Sequence, residues 1–279
     1  MNPKLQGMQA TIRAARLLPL AEEARLWANL VRNARRNFRF VRENPGFPVP
    51  PVRLAYDAYG TVDWGFYRES GVAMAQYLAK IVASHHGRHA LNVLEWGCGP
   101  GRVVRHLPPL LDGAASVFAS DCNRKSIAWC LAHLSSPTFV AHALQPPLPF
   151  ADGFFDCVYG ISVITHLSKR MHHAWLDELV RVTRSGGIIM LTSHGERYRR
   201  FLLTDEVQRF DGGGLVVRDK VREGTKMFTA FHSPAFMRTD LFKDLEILSH
   251  RDTGLPYMDQ DLWIVRSNPG GRHSASSVT

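Results

Sequence analysis

The sequence predicts an α/β fold: a mostly parallel sheet with helices on both faces, closed by an antiparallel hairpin and preceded by a helical extension. Three observations predict it. Short apolar runs alternate with helical patterns at a regular cadence between residues 65 and 193. Three glycines at alternate positions, Gly97, Gly99 and Gly101, follow the first of those runs. Two further runs, 245–249 and 262–265, have no helix-length segment between them, so they must lie as antiparallel neighbours.

The elements follow in order. Leu20, Ala24, Trp27, Val31, Ala34, Phe38 and Val41 recur at helical spacing and line one face of a helix, with Arg25, Arg32, Arg36 and Arg39 opposite. The stretch 43–53, ENPGFPVPPVR, reads as a proline-rich linker, so 1–53 forms an extension. A core follows over 54–195, with a helix at 65–83, strands at 91–96, 116–120, 138–141, 155–160 and 188–193, and helices at 102–111, 124–134 and 169–183. Residues 196–240 are more polar and read as an inserted cap, with Gly212, Gly213 and Gly214 as a turn. The last strands fall within 241–267, and 268–279 has no pattern capable of burying anything.

Composition excludes several classes. A chain of 279 residues with 45% hydrophobic and 21% charged residues supports a sizeable core, not disorder throughout. No apolar run reaches the ~20 residues of a membrane span, and Arg13 and Arg16 interrupt any signal-like segment, so a cytoplasmic location is expected. Cys98, Cys122, Cys130 and Cys157 show no C-x-x-C or zinc spacing and are expected as reduced, mostly packed thiols. The formal charge is +9, but residues 1–42 hold nine Lys/Arg against two acids, so that stretch alone carries +7. Two readings of the basic helix stand: packing on the core with a solvated arginine face, or a surface for anionic lipid or an acidic partner.

The glycine spacing at 97–101 lacks the third glycine of a dinucleotide loop, where Arg102 stands, and no Gly-Lys-Ser/Thr follows for a P-loop. Glu95-x-Gly97-x-Gly99-x-Gly101 resembles motif I of class I S-adenosylmethionine-dependent methyltransferases. Asp121 at the end of the second strand, LPFADGFFDCVYGISVITHL (148–167) and ELVRVTRSGGIIMLTSHG (178–195) are similar to further family segments in the right order. The resemblance covers about 65–267 and implies a Rossmann-like, seven-stranded sheet with S-adenosylmethionine as cofactor. It places Glu95, Gly97, Cys98, Gly99, Gly101, Asp121, Cys122, Gly160 and Ile161 around that cofactor. Asp121 would take both ribose hydroxyls, since an ionised carboxylate is acceptor-only. The acidic segment that many relatives carry before L-P-F is missing, so His142 or the backbone at Ala143 would face the adenine. Tyr67 and Arg68 lie where relatives close over the methionine end, and Trp96 is either a buried structural residue or a stacking partner of the ligand.

The loop after the fourth strand, ISVITHLS, has no Asn/Asp-Pro-Pro-aromatic motif, no paired glutamates and no carboxylates for a divalent cation. A metal-independent enzyme acting on a small or carrier-borne acceptor is therefore expected, with no nucleic-acid substrate. O-methylation stands first, because His166, His194 and His232 fall at strand ends or in the cap, where a base would accept a hydroxyl proton. His172 and His173 read as solvated helix positions. Arg197, Arg199 and Arg200 read as solvated or as contacts for an anionic substrate, with Asp259 and Gln260 at the hairpin rim. The THL loop, the Ser-His-Gly strand end and the FHSP segment are similar to bacterial enzymes of surface-polysaccharide and secondary-metabolite pathways. N- or C-methylation, an RNA methyltransferase using the basic helix, and a non-catalytic cofactor-binding protein stand as alternatives. Oligomeric state is left open.

Overall fold

Strands β1 (Asn92–Trp96), β2 (Ser116–Asp121), β3 (Thr138–Ala141), β4 (Phe155–Gly160), β5 (Thr183–Ser193), β8 (Glu246–Arg251) and β9 (Asp261–Arg266) form one sheet of seven, in the order β3-β2-β1-β4-β5-β9-β8. The structure is a computed structural model and describes residues 18–86, 90–111 and 115–268. Lys4, Arg13, Arg16 and the tail beyond 268 fall outside them. Strands β1 to β5 pair parallel, and β9 pairs antiparallel with both β5 and β8, so the C-terminal hairpin closes the sheet as expected.

Both faces are buried, which is why the strands read as continuous apolar runs. Val93, Cys157, Tyr159, Ile188, Met190 and Ile264 face the layer that holds Met74, Leu78 and Val82. Leu94, Val158, Ile189, Leu191, Trp263 and Val265 alternate onto the other face, against Met171, Trp175 and Leu179. The chain leaves β1 toward β2 and β3 and then crosses back to β4, so the switch point lies between β1 and β4.

The helices are α1 (Leu18–Glu43), α2 (Val52–Tyr59), α3 (Trp64–His86), α4 (Arg124–His133), α5 (Lys169–Val182) and α6 (Thr204–Asp211). Asn123 caps α4 by accepting from the Lys125 and Ser126 N–H groups, and Ser168 caps α5. The helix expected at 102–111 is instead two tight turns, Val104–His106 and Pro108–Leu110. Pro108 and Pro109 have no N–H to give to the carbonyls four residues back, so an α-helical ladder cannot propagate.

The supposed linker is packed. Phe47 lies edge-on to Phe40 and Tyr67 and stacks on His106, while α2 already begins at Val52. The insertion carries α6, a two-stranded sheet of β6 (Leu215–Arg218) and β7 (Thr229–His232), and its own cluster of Leu202, Phe210, Val216 and Phe231.

The basic helix departs most from the periodic pattern. Its apolar stripe faces outward, with Leu20, Trp27, Val31 and Phe38 between 66% and 77% exposed. The packing face is a different one, formed by Leu26 and Asn33 with Leu30 and Phe40. Half-buried asparagines fix it. Asn29 Oδ1 accepts from Val62 N–H at 2.6 Å, and Asn37 pairs with Val62 O at 2.8 Å and Trp64 N–H at 2.9 Å.

Candidate active site

The glycine loop leaves β1 beside the switch point with Gly97, Gly99 and Gly101 at φ of 77°, 52° and 73°. These left-handed values are open to glycine and costly for side chains. At Gly97 a Cβ would also lie 2.3 Å from Val163 Cγ2, in the loop after β4. Gly99 is covered from above by α2, where a Cβ would meet Tyr59 Oη at 3.2 Å and Ala58 Cβ at 3.3 Å. The bareness of the loop thus serves its own backbone and the close approach of two neighbouring segments.

Asp121 ends β2 next to this loop. Its Oδ2 accepts from Gly99 N–H at 2.7 Å and its Oδ1 from Asn123 N–H at 2.6 Å. Burial raises its pKa, and the two backbone donors pull the other way. One N–H per oxygen leaves lone pairs on both, so the carboxylate can still receive hydroxyl donors. His142 follows β3 and is close enough to Asp121 for the two to interact electrostatically. Its Nδ1–H donates to Ala143 O at 2.6 Å, and its Nε2, facing no protein partner, is buried. Ser120 Oγ and Arg102 Nε are likewise buried without partners. Orphaned polar atoms around a bare loop and a hydroxyl-accepting carboxylate fit an adenosine-bearing cofactor.

Glu95 and Tyr67 work from behind the loop. Glu95 is fully buried, accepts from Tyr159 Oη at 3.1 Å and from the Val104 N–H, and burial pushes its pKa up to about 8. Tyr67 Oη donates to Pro100 O at 2.7 Å, and Arg68 donates to Asn44 Oδ1 at 2.7 Å. Cys98 is buried, while Cys122 and Ala143 are exposed. Trp96 is buried against Trp175, with ring centroids 4.9 Å apart, so it is a core residue. Gly160 lies against the same indole, since a Cβ there would be 2.8 Å from Trp96 Cε3. Ile161, next in the chain, is partly buried against the core.

After β4 the chain passes through Ser162 at φ 62°, an uncommon value for serine. A hydrogen-bonded ring holds it there. Ser162 N–H donates to Thr192 Oγ1 at 2.7 Å, Thr192 Oγ1–H to Gln260 Oε1 at 2.6 Å, and Gln260 Nε2 to Ser162 Oγ at 2.8 Å. Thr165 Oγ1–H donates to Ser162 O at 2.6 Å, which leaves the Ser162 hydroxyl to donate to Thr165 Oγ1 at 3.1 Å. Tyr59 lies outside every motif of the sequence, and Ser162 and Thr192 lie within the 148–167 and 178–195 segments without standing out there. Only the Gln260 rim position was legible there.

The candidate histidines come together, organised by the segment leading into β7. His166 Nδ1 contacts Phe228 O at 2.7 Å and His194 Nδ1 contacts Ala230 O at 3.1 Å. A carbonyl only accepts, so both Nδ1 atoms carry the proton and both Nε2 atoms present lone pairs. Burial lowers the pKa of both, to about 3 for His194, whose ring stacks on Tyr198 at 4.0 Å.

His172, expected in solvent, is buried on α5 because its ring reaches into the cap. Its Nδ1–H donates to Ser168 O at 2.7 Å, so its Nε2 accepts, at 2.7 Å, from the Nε2–H of His232. His232 is buried inside the protein with its Nδ1 unpartnered, and burial holds it well below the usual histidine range. His173 instead pairs with Asp240 at 2.8 Å. Arg197 and Arg200 are tied to Asp259 and Arg199 to Asp211, so these arginines are ion-paired rather than simply solvated.

Comparison with known proteins agrees with this geometry. Residues 93–187 match the model of a methyltransferase domain. Ajmaline N-methyltransferase of Rauvolfia serpentina is 34% identical over 111 residues, 38% of this chain and 37% of that protein, so the chain spans little more than a third of that relative's length. The methyltransferase of a Haloferax volcanii methyltransferase–activator complex superposes with a TM-score of 0.53 at 16% identity, over 79% of this chain and 99% of that one. Magnesium protoporphyrin IX methyltransferase from Synechocystis PCC 6803, solved with bound SAH, gives 0.50 at 17% identity, over 86% and 99%. Glycine loop, ribose-type carboxylate, strand order and domain match converge: residues 93–187 form a methyltransferase domain, and the fold and site around it are similar to those of the class I S-adenosylmethionine-dependent methyltransferases.

Proposed function

We propose that this protein methylates a hydroxyl of a small or carrier-borne acceptor, without a metal, in a bacterial biosynthetic pathway. The observation that carries the reading is the pair His166 and His194, each pinned through Nδ1 to a backbone carbonyl with Nε2 left as a lone pair. The loop and strand-end segments that the sequence shares in pattern with bacterial biosynthetic enzymes support the pathway class.

When bound, S-adenosylmethionine supplies an electrophilic methyl group on a sulfonium leaving group. Asp121 would hold the ribose, the Gly97–Gly101 backbone the adjoining chain, and His142 and Ala143 the adenine side. The ring of Ser162, Thr192 and Gln260 fixes the loop after β4, so an acceptor seated there meets a rigid wall. His166 accepts the hydroxyl proton at Nε2 as the oxygen bonds to carbon. It is less deeply buried than His194, so its conjugate acid is the easier one to form. His194 flanks it as a second acceptor. N-methylation is the second reading, favoured by the name of the Rauvolfia serpentina relative.

Calorimetric titration with S-adenosylhomocysteine, beside NAD and NADP, tests the cofactor. Micromolar binding of the adenosylhomocysteine alone, weakened in Asp121→Ala and partly kept in Asp121→Asn, is expected. A panel of hydroxyl and amine acceptors then tests the chemistry. His166→Gln should lower kcat by about 100-fold with adenosylhomocysteine affinity unchanged. In the wild type kcat/KM should fall as pH drops through a value below 6.5, where His166 takes up a proton. Full turnover by His166→Gln refutes the base, and turnover of amines alone replaces O- by N-methylation.

A further inference from the structure

The outward stripe of α1 has no role in the methyltransferase reading. A helix that packs on a domain normally buries its most apolar face, yet this one turns Leu20, Trp27, Val31, Phe38 and Val41 to solvent. The inversion is held in place. Asn29 and Asn37 bond the 62–64 backbone, Arg36 pairs with Asp63 at 3.7 Å, and Lys226 pairs with Glu22 at 2.9 Å. Rotating the stripe inward would break all of these contacts.

At 100° per residue, Trp27, Val31 and Phe38 fall within about 20° of Leu20 around the axis. Arg42, Arg35, Arg39, Arg32, Arg25 and Arg36 follow in that order along one flank, spanning about 120°. Among the described residues no carboxylate pairs with Arg32, Arg35, Arg39 or Arg42, and all four are exposed. Arg35, Arg39 and Arg42 line a shallow groove with Phe38 and Ala34, which sets unneutralised positive charge directly beside an apolar ring.

We propose that α1 lies along the surface of an anionic lipid bilayer, with the stripe in the acyl boundary and the arginine flank on the headgroups. Charge decides between this occupant and a second copy, because pairing two stripes brings two arginine flanks together. The apolar stripe decides against a nucleic acid, which would take the arginines and leave Trp27, Val31 and Phe38 in water. The helix is ~39 Å long, and no helix among the described residues is long and apolar enough to cross a membrane, so α1 lies on the bilayer rather than through it.

The test is flotation of the full chain with vesicles of phosphatidylcholine containing about one-third phosphatidylglycerol, beside pure phosphatidylcholine vesicles. The intact protein should float with the anionic vesicles alone and be released by salt. Trp27→Ser with Phe38→Ser should weaken partition by about tenfold or more. Arg35→Gln, Arg39→Gln and Arg42→Gln together should do the same. Both variants change exposed positions, so adenosylhomocysteine affinity and the urea midpoint should stay at wild-type values. The proposal is overturned by failure of the intact protein to float, or by equal flotation of the Trp27/Phe38 variant. It is also overturned by a dimer that this variant abolishes, or by capture of polyuridylate without vesicle binding. Flotation without adenosylhomocysteine binding would sink the methyltransferase reading and leave the bilayer surface standing.

Discussion

Glu95→Gln separates what the buried carboxyl does for the fold from what it does for charge. Its pKa of about 8 lies far above the ordinary 4.5 because no water reaches it, and this desolvation outweighs the opposing effects of Arg102, Tyr159 Oη and the Val104 N–H. At neutral pH the folded protein therefore holds a proton that the unfolded chain has released. A raised folded pKa contributes stability that is fully present below the unfolded pKa and is lost as pH climbs through the folded one. The window is pH 4.5 to 8. Inside it the loss runs at about 1.4 kcal/mol per pH unit for one proton.

Glutamine has nearly the shape of the protonated acid: its carbonyl can accept from Val104 N–H, and its amide can donate to Tyr159 Oη, which reverses the bond that Tyr159 donates to Glu95. It does not titrate. The two proteins should match closely only below pH 4.5, where the wild-type carboxyl is protonated in both states, and the variant's lead should grow by about 2.7 kcal/mol between pH 5.5 and pH 7.5. With a urea slope near 3 kcal/mol/M, the midpoints should then differ by about 1 M. Other groups titrate in this range in both proteins and cancel in the difference. A stability difference that stays constant between the two pH values would show that Glu95 is ionised in the fold, and the reasoning fails.

Two further outcomes follow from the packing. Alanine at Gly71 should favour the α3 helix by about 1 kcal/mol, but its Cβ would lie 2.1 Å from the Arg102 carbonyl oxygen, which is backbone and cannot swing away. The clash wins, and urea unfolding should show a net loss of about 1–3 kcal/mol, while Gly46→Ala, with open space around it, stays within about 0.5 kcal/mol of wild type. Gly71→Ala at or above wild-type stability would refute the close approach of α3 to the glycine loop. Gln260→Leu leaves Thr192 Oγ1–H without an acceptor and removes the donor to Ser162 Oγ, which keeps only Thr165, a cost of about 2–4 kcal/mol. Acceptor turnover should fall further than adenosylhomocysteine affinity, and equal losses in both would show that the ring supports the cofactor side instead.

The sequence by itself determined the sheet. Continuous apolar runs at strands buried on both faces, the helices between them and the short 245–265 hairpin leave one architecture, and the glycine run with Asp121 marks where its ligand goes. Those signals are local: each depends on residues a few positions apart. Tertiary structure decided the rest, because it depends on residues far apart in the chain. Whether His172 is solvated depends on His232, sixty residues away, and the two rings bury each other. Tyr59 reached the glycine loop only because α2 packs there, and Ser162 entered a left-handed conformation because Thr192 and Gln260 hold it. The basic helix shows the limit most plainly. Its periodicity defines an apolar face, but periodicity cannot say what that face meets, and three asparagines on another face, hydrogen-bonding to one another and to the 62–64 backbone, turned it toward solvent.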